Sequence, residues 1–397
     1  MRMIRGRFMR RWGVVTLIMV CFVYMAVYLS TSQTFDVSIS LEKPHKNIPP
    51  PFPWEQPDHA PADGAAGQFS NRAIREHHDS LQNLTEKPKA ETVDQKSEKD
   101  DNEMKEKANE NNNTIDQFMS IQSEINRLRG EMTDQSCAKY PELIRGAITD
   151  NTYRHIYVND KHNLLYCFVP KVGCSNWKRV MMILNGSKKK LSEISSDEVH
   201  FNNGMKRLAG FTPRDRQQKL ETYKKFIYVR NPFVRLLSAF NNKYGNIIQY
   251  RKDKYFQGFA KTIMKQFRPH ATSRELRTGE NITWTEFVKF LTQPKRPFFD
   301  DHWEEMFKIC APCKIKYDYV GNLETVVDDA KYMLTDLQLD SFVDYPSKSN
   351  SHPTNSTETF EKAFRILPKE SLQKLWKIYE KDFEIFGFPK PKFIEEL

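Results

Sequence analysis

Two segments of this chain share one layout, and together they leave few folds open to it. Residues 164–169, LLYCFV, form an unbroken apolar run that leads into a polar loop, 170–176, and a helix-like stretch at 177–184. Residues 225–229, KFIYV, form a second run, followed by Arg230-Asn231-Pro232 and a helix-like stretch to about Tyr244. Short runs that are apolar on both faces are strands covered by helices on both sides, as in the parallel sheet of an α/β domain. Further helices are expected at 284–292, 322–337, 358–366 and 368–385, and no internal repeat is visible. The expected fold is one α/β domain over residues 136–397, a parallel sheet flanked by helices.

What precedes that domain differs in kind. Residues 1–12 carry five arginines and no acid, and residues 13–29, GVVTLIMVCFVYMAVYL, are long enough for a short membrane span. Arginines before the span and none just after it predict a single-pass type II anchor, with the rest of the chain in the lumen. A cleaved signal peptide is the alternative, and it too makes the body secretory. Sequons at Asn83, Asn112, Asn185, Asn281 and Asn355 suit a lumenal glycoprotein. Residues 30–135 are rich in Asp, Glu, Lys, Asn and Gln and offer little to bury, so a mostly disordered stem is expected. Within it Phe118, Ile121, Ile125, Leu128 and Met132 repeat at 3-4-3-4 spacing. That predicts a helix at 114–132, which either pairs with a second copy as a short coiled coil or packs on the domain.

Lysine and arginine outnumber Asp and Glu by 61 to 51, a formal charge of +10 that favours an anionic partner. A lumenal body argues against nucleic acid as that partner. Beyond the span lie Cys137, Cys167, Cys174, Cys310 and Cys313, an odd number, so one thiol stays free or pairs between chains. A structural disulfide through Cys310, Cys313 or both is expected in an oxidising lumen. No second C-x-x-C accompanies this pair, and no metal site is expected.

The loop Pro170-Lys171-Val172-Gly173-Cys174-Ser175-Asn176 has the parts of a phosphate cradle. A helix start presents backbone N–H groups and a positive dipole end, Gly173 permits close approach, Ser175 and Asn176 add short donors, and Lys171 adds a point charge. It is not a Walker loop. The second segment, Arg230-Asn231-Pro232-Phe233-Val234-Arg235-Leu236-Leu237-Ser238, places an arginine at a strand end and a serine two turns into the next helix. Arg230 and Ser238 can then converge on one phosphate, with Arg235, if it does not face solvent, as a weaker third.

At these two segments the chain resembles the Golgi carbohydrate sulfotransferases. The first loop is similar to their 5′-phosphosulfate loop, and Arg230–Ser238 to their 3′-phosphate motif. The resemblance extends from about Tyr153 to the C-terminus and is nearest the chondroitin/dermatan (GalNAc) 4-O-sulfotransferase branch. The chain departs from the Val-Ala-Cys-Thr-Asn-Trp of chondroitin members at Gly173 and Ser175, which leaves the branch open. The resemblance implies a P-loop-like fold and a Golgi location. It also implies 3′-phosphoadenosine 5′-phosphosulfate (PAPS) as co-substrate, a glycosaminoglycan or other glycan acceptor, and in-line transfer of a sulfuryl group to a sugar hydroxyl. Lys171 then faces the leaving phosphate. His200 is the first choice of base, from its place after the phosphate-loop helix, and His302 in Asp301-His302-Trp303 the second. The rival classes are a P-loop kinase, for which the Walker and kinase signatures are missing, and a silent glycosaminoglycan-binding protein.

Overall fold

The computed structural model of the protein describes residues 100–201, 203–294, 300–346 and 357–397. The expected span at 13–29 and the stem before residue 100 lie outside them. Among the described residues no helix is long and apolar enough to cross a membrane.

Five strands form one sheet in the order β3-β1-β2-β4-β5. They are β1 (Ile156–Asn159), β2 (Leu164–Cys167), β3 (Lys206–Arg207), β4 (Lys224–Val229) and β5 (Tyr319–Asn322). The two apolar runs are adjacent parallel strands, with Leu164 opposite Lys224 and Cys167 opposite Ile227, and β5 continues the parallel set beside β4. The other side departs from the expected all-parallel sheet: β1 runs antiparallel to both β2 and β3. Only residues 160–163 join β1 to β2, too few for a crossover helix, so these strands must form a hairpin. The sheet is mixed.

The helices that matter for the site are α1 (Asp100–Ala138), α2 (Cys174–Leu184), α3 (Ser196–His200), α4 (Pro232–Phe240), α5 (Lys254–Phe267), α6 (Trp284–Leu291), α7 (Met306–Cys310), α8 (Val326–Asp336), α9 (Thr357–Arg365) and α10 (Lys369–Ile385). Three of the expected helices, α6, α9 and α10, stand where the periodicity placed them. The fourth began too early, because residues 319–322 belong to β5 and the helix starts at Val326.

The buried apolar residues fall into two large clusters. The first surrounds the sheet, where Trp177 packs against Phe226 and Tyr228 at ring separations of 4.9 and 4.5 Å. The second lies among α4, α5, α6, α9 and α10, where Phe233 stacks on Phe364 at 4.9 Å and Trp303 is fully buried. Each buried aromatic of this kind contributes about 1.5–3 kcal/mol relative to exposure.

The expected helix at 114–132 is part of α1, and its seam docks on this same chain. Ile125 is buried, and Phe118 packs against the sheet cluster. Asn126 pairs with the open edge of β5, donating to the Asp318 carbonyl at 2.8 Å and accepting from Val320 N–H at 3.1 Å. Arg129 and Asp329 form a buried ion pair at 2.7 Å. Gly387, in a left-handed conformation, leaves room for Met132, whose sulfur would lie 2.0 Å from any added Cβ. The disulfide Cys137–Cys313 fastens the end of α1, and Cys167–Cys310 fastens β2 to α7. Both halves of the C-x-x-C pair therefore reach distant partners, and Cys174 is the free thiol.

Candidate active site

Strands β2, β4 and β5 end on the same edge of the sheet, and the crevice beyond the carboxyl ends of parallel strands is where α/β proteins bind ligands. The loop after β2 turns there through two left-handed residues, Lys171 at φ 71° and Gly173 at φ 78°. The glycine adopts this freely, whereas the lysine is held in it at a cost of about 1–3 kcal/mol. A Cβ on Gly173 would lie 2.9 Å from the Tyr345 hydroxyl, so the loop also packs too closely there for a larger residue.

Gly173 is the N-cap of α2, and no side chain caps that helix. The first N–H groups of a helix lack an acceptor in the preceding turn and carry the positive end of the helix dipole. Burial lowers the Lys171 ammonium to about 8, with further lowering from Lys243, Arg230 and Arg235. So many cations around one uncapped helix start suit a multiply charged anion.

Arg230, at the end of β4, is buried and donates to the Lys171 carbonyl at 3.4 Å, which joins the two motifs physically. Glu324, on the turn after β5, faces it across 3.8 Å. Asn231 caps α4 by accepting from the N–H groups of Phe233 and Val234. Pro232 opens the helix, Val234 and Ser238 are half-buried, and Ser238 lies two turns along. Phe233, Leu236 and Leu237 belong to the helical cluster, and Val172 to the sheet cluster. Their part in the motif is to hold its frame.

Arg235 departs from both expectations for it, phosphate ligand and solvent-facing residue. It is 1% exposed and spends its fork on three backbone carbonyls: Pro170 at 2.9 Å, Glu304 at 2.6 Å and Asp301 at 2.7 Å. It thus ties the phosphate loop to the loop that carries His302. Hydrogen-bond partners 65 to 69 residues away leave no trace in local spacing.

The two candidate bases sit differently. His200 Nε2 lies 3.1 Å from Ser175 Oγ, which brings α3 against the start of α2. The ring keeps contact with solvent, yet the surrounding protein, with Lys178, Lys243, Arg179 and His302, holds its pKa down at about 4. The imidazole is therefore neutral at physiological pH. His302 Nδ1 pairs with Asp300 Oδ1, and the same oxygen accepts from the His302 backbone N–H at 2.9 Å. Phe256 backs the His302 ring at 5.5 Å. Burial lowers its pKa while Asp300 opposes that shift. Asp300 stands beside His302 in the sequence, and the structure turns its carboxylate onto the ring. His155 is structural: its ring pairs with the Asn151 carbonyl and Asp301, and it is 3% exposed.

Asn185 and Asn281 are exposed, as sequons require; Asn112 lies within α1, and Asn83 and Asn355 lie outside the described residues. A cavity of about 460 Å³ opens elsewhere, lined by Thr149, Thr152, Glu304 and Lys308, and includes none of the motif residues.

Residues 154–389 match a family model described as the Sulfotransferase family. Carbohydrate sulfotransferase 8 of Homo sapiens is 35% identical over 268 residues, 66% of this chain and 62% of its own length. Carbohydrate sulfotransferase 11 of Rattus norvegicus is 32% identical over 291 residues, 71% of this chain and 81% of its own. Carbohydrate sulfotransferase 12 of Mus musculus is 34% identical over 260 residues, 60% and 61% of the two chains. The chain thus spans about three-fifths of the length of the first of these relatives. No solved structure gives a significant match.

Proposed function

Because the chain belongs to the sulfotransferase family, we propose that it transfers a sulfuryl group from PAPS to a sugar hydroxyl, with position 4 of GalNAc in chondroitin or dermatan as the acceptor. The observation that carries this reading is the meeting of the two phosphate motifs, Arg230 against the Lys171 carbonyl, at the ends of adjacent parallel strands. A nucleotide with separate 5′ and 3′ anionic groups needs two such points, whereas a simple polyanion needs neither.

In this reading the 5′-phosphosulfate lies on residues 170–176 and the 3′-phosphate on Arg230 and Ser238. The acceptor oxygen forms its bond to sulfur as the bond from sulfur to the phosphate oxygen breaks, and adenosine 3′,5′-bisphosphate leaves. Lys171 and the start of α2 stabilise the charge that develops on the leaving oxygen. The acceptor proton passes to a histidine. Asp300 on Nδ1 supports His302 in that task over His200, because it fixes the tautomer in which Nε2 accepts. His200 then serves as the partner of Ser175 and steadies the phosphate loop. The proposed setting is the Golgi lumen, with residues 13–29 as the type II anchor.

The test is sulfate transfer from labelled PAPS by the full chain to desulfated chondroitin, dermatan and a GalNAc-terminated N-glycan. Lys171→Ala is expected to lower kcat/KM by about 10²–10³. The preferred acceptor names the branch. A folded protein that fails to bind adenosine 3′,5′-bisphosphate overturns the reading.

A further inference from the structure

Phe201 is the most exposed large apolar side chain among the described residues, at 81%, and it directly follows His200. Its N–H donates to the Asp197 carbonyl at 2.9 Å, closing an α3 that a full capping box starts at Ser195 and Glu198. On one side Val199 is fully buried. On the other, buried Asn203 donates to the Tyr157 hydroxyl and to the Val199 carbonyl, both at 3.0 Å. Val199 and Asn203 are thus anchored on either side, and the Phe201 ring is exposed to water. Beside His200 the exposed ring offers an apolar face next to hydrogen-bonding groups.

A second exposed ring stands by the other histidine. Tyr255, 51% exposed at the start of α5, engages the Asp300 carboxylate that holds His302. Its ring leans on Phe256 and Phe259 at 5.1 and 5.2 Å, which fixes its direction. The charge of His302 bears on His200, so Phe201 and Tyr255 each adjoin one of two interacting histidines.

We infer that Phe201 and Tyr255 form the acceptor platform, on which one pyranose ring of the glycan lies with its C–H face against Phe201 and its hydroxyl edge toward the histidines. This rests on the sulfotransferase reading and adds to it the residues that hold the acceptor. A pyranose is apolar on its C–H face and polar at its rim, which fits a bare phenyl ring beside a tyrosine hydroxyl and two imidazoles.

The test uses the full chain with desulfated chondroitin as the glycan probe. Acceptor KM is measured at saturating PAPS, and glycan binding is titrated separately in the presence of adenosine 3′,5′-bisphosphate. Phe201→Ala is expected to raise acceptor KM and weaken glycan binding about tenfold, with the KM for PAPS and Tm unchanged. Phe201→Trp should restore both, and Phe342→Ala, an exposed ring elsewhere, should change neither. Equal glycan binding by wild type and Phe201→Ala, or no binding of the probe by a wild type that binds the nucleotide, overturns the platform and leaves the donor reading standing. A wild type that does not bind the nucleotide overturns the donor reading and the platform with it.

Discussion

The sheet half and the helical half of this domain are held together in different ways, and each carries a different part of the site. The sheet half joins α1, α2, α7 and α8 to the strands, and both disulfides lie in it. It carries Lys171 and the phosphate loop. The helical half is a cluster of aromatic rings with no cysteine in it. It carries the loop of Asp300 and His302, which is plugged into the cluster by Trp303 and held by the Tyr379 hydroxyl on the Trp303 carbonyl. The loop of Lys171 thus rests on a covalently fastened frame, and the loop of Asp300 and His302 on packing. Arg235 spans the two, with one hydrogen bond to the phosphate loop and two to the histidine loop.

If that division is correct, it can be broken at three points. The largest effect is expected from Cys310→Ser, which removes the bridge from β2 to α7. Loss of a disulfide that closes so long a loop costs about 2–4 kcal/mol. Denaturant unfolding should show this cost, with nucleotide binding lost in the same transition; an unchanged midpoint would mean that packing, not the bridge, fastens the sheet half.

Next comes Arg235→Lys. A lysine keeps the charge but cannot reach three carbonyls on two loops. Misplacement of the loops by about 1 Å should lower kcat about a hundredfold, with nucleotide affinity changed far less. An equal fall in both would return Arg235 to the phosphate-binding set.

The smallest effect concerns pH. Lys171, lowered to about 8 by burial, loses its charge as pH rises through that value in the nucleotide-free protein. Affinity for adenosine 3′,5′-bisphosphate should therefore hold below pH 8 and fall above it by up to about tenfold per unit, as the nucleotide must restore the proton on binding. Lys171→Arg, whose charge does not titrate in this range, should flatten the profile.

Much of this was legible in the residues. The two apolar runs became neighbouring parallel strands, the loops after them faced one crevice, and the odd cysteine stayed free. The resemblance to carbohydrate sulfotransferases, drawn from the two phosphate motifs, agrees with the family match. The periodicity at 118–132 announced a helix but left its partner open, since an apolar seam looks the same whether it meets a second copy or its own domain. The hairpin of β1 is not legible in the sequence, because Ile156–Asn159 is only four residues long and its run gives no period to read.

By itself, then, the sequence determined the two neighbouring parallel strands, the loops after them and the resemblance they carry: strand, turn and lysine are short-range features, written within ten residues of each other. Tertiary structure alone decided three things. Arg235 is a tie between loops, the loop of Asp300 and His302 is held by Tyr379, and Phe201 is exposed. Each of these depends on partners tens of residues away or on the absence of any neighbour, and local spacing carries no information about either.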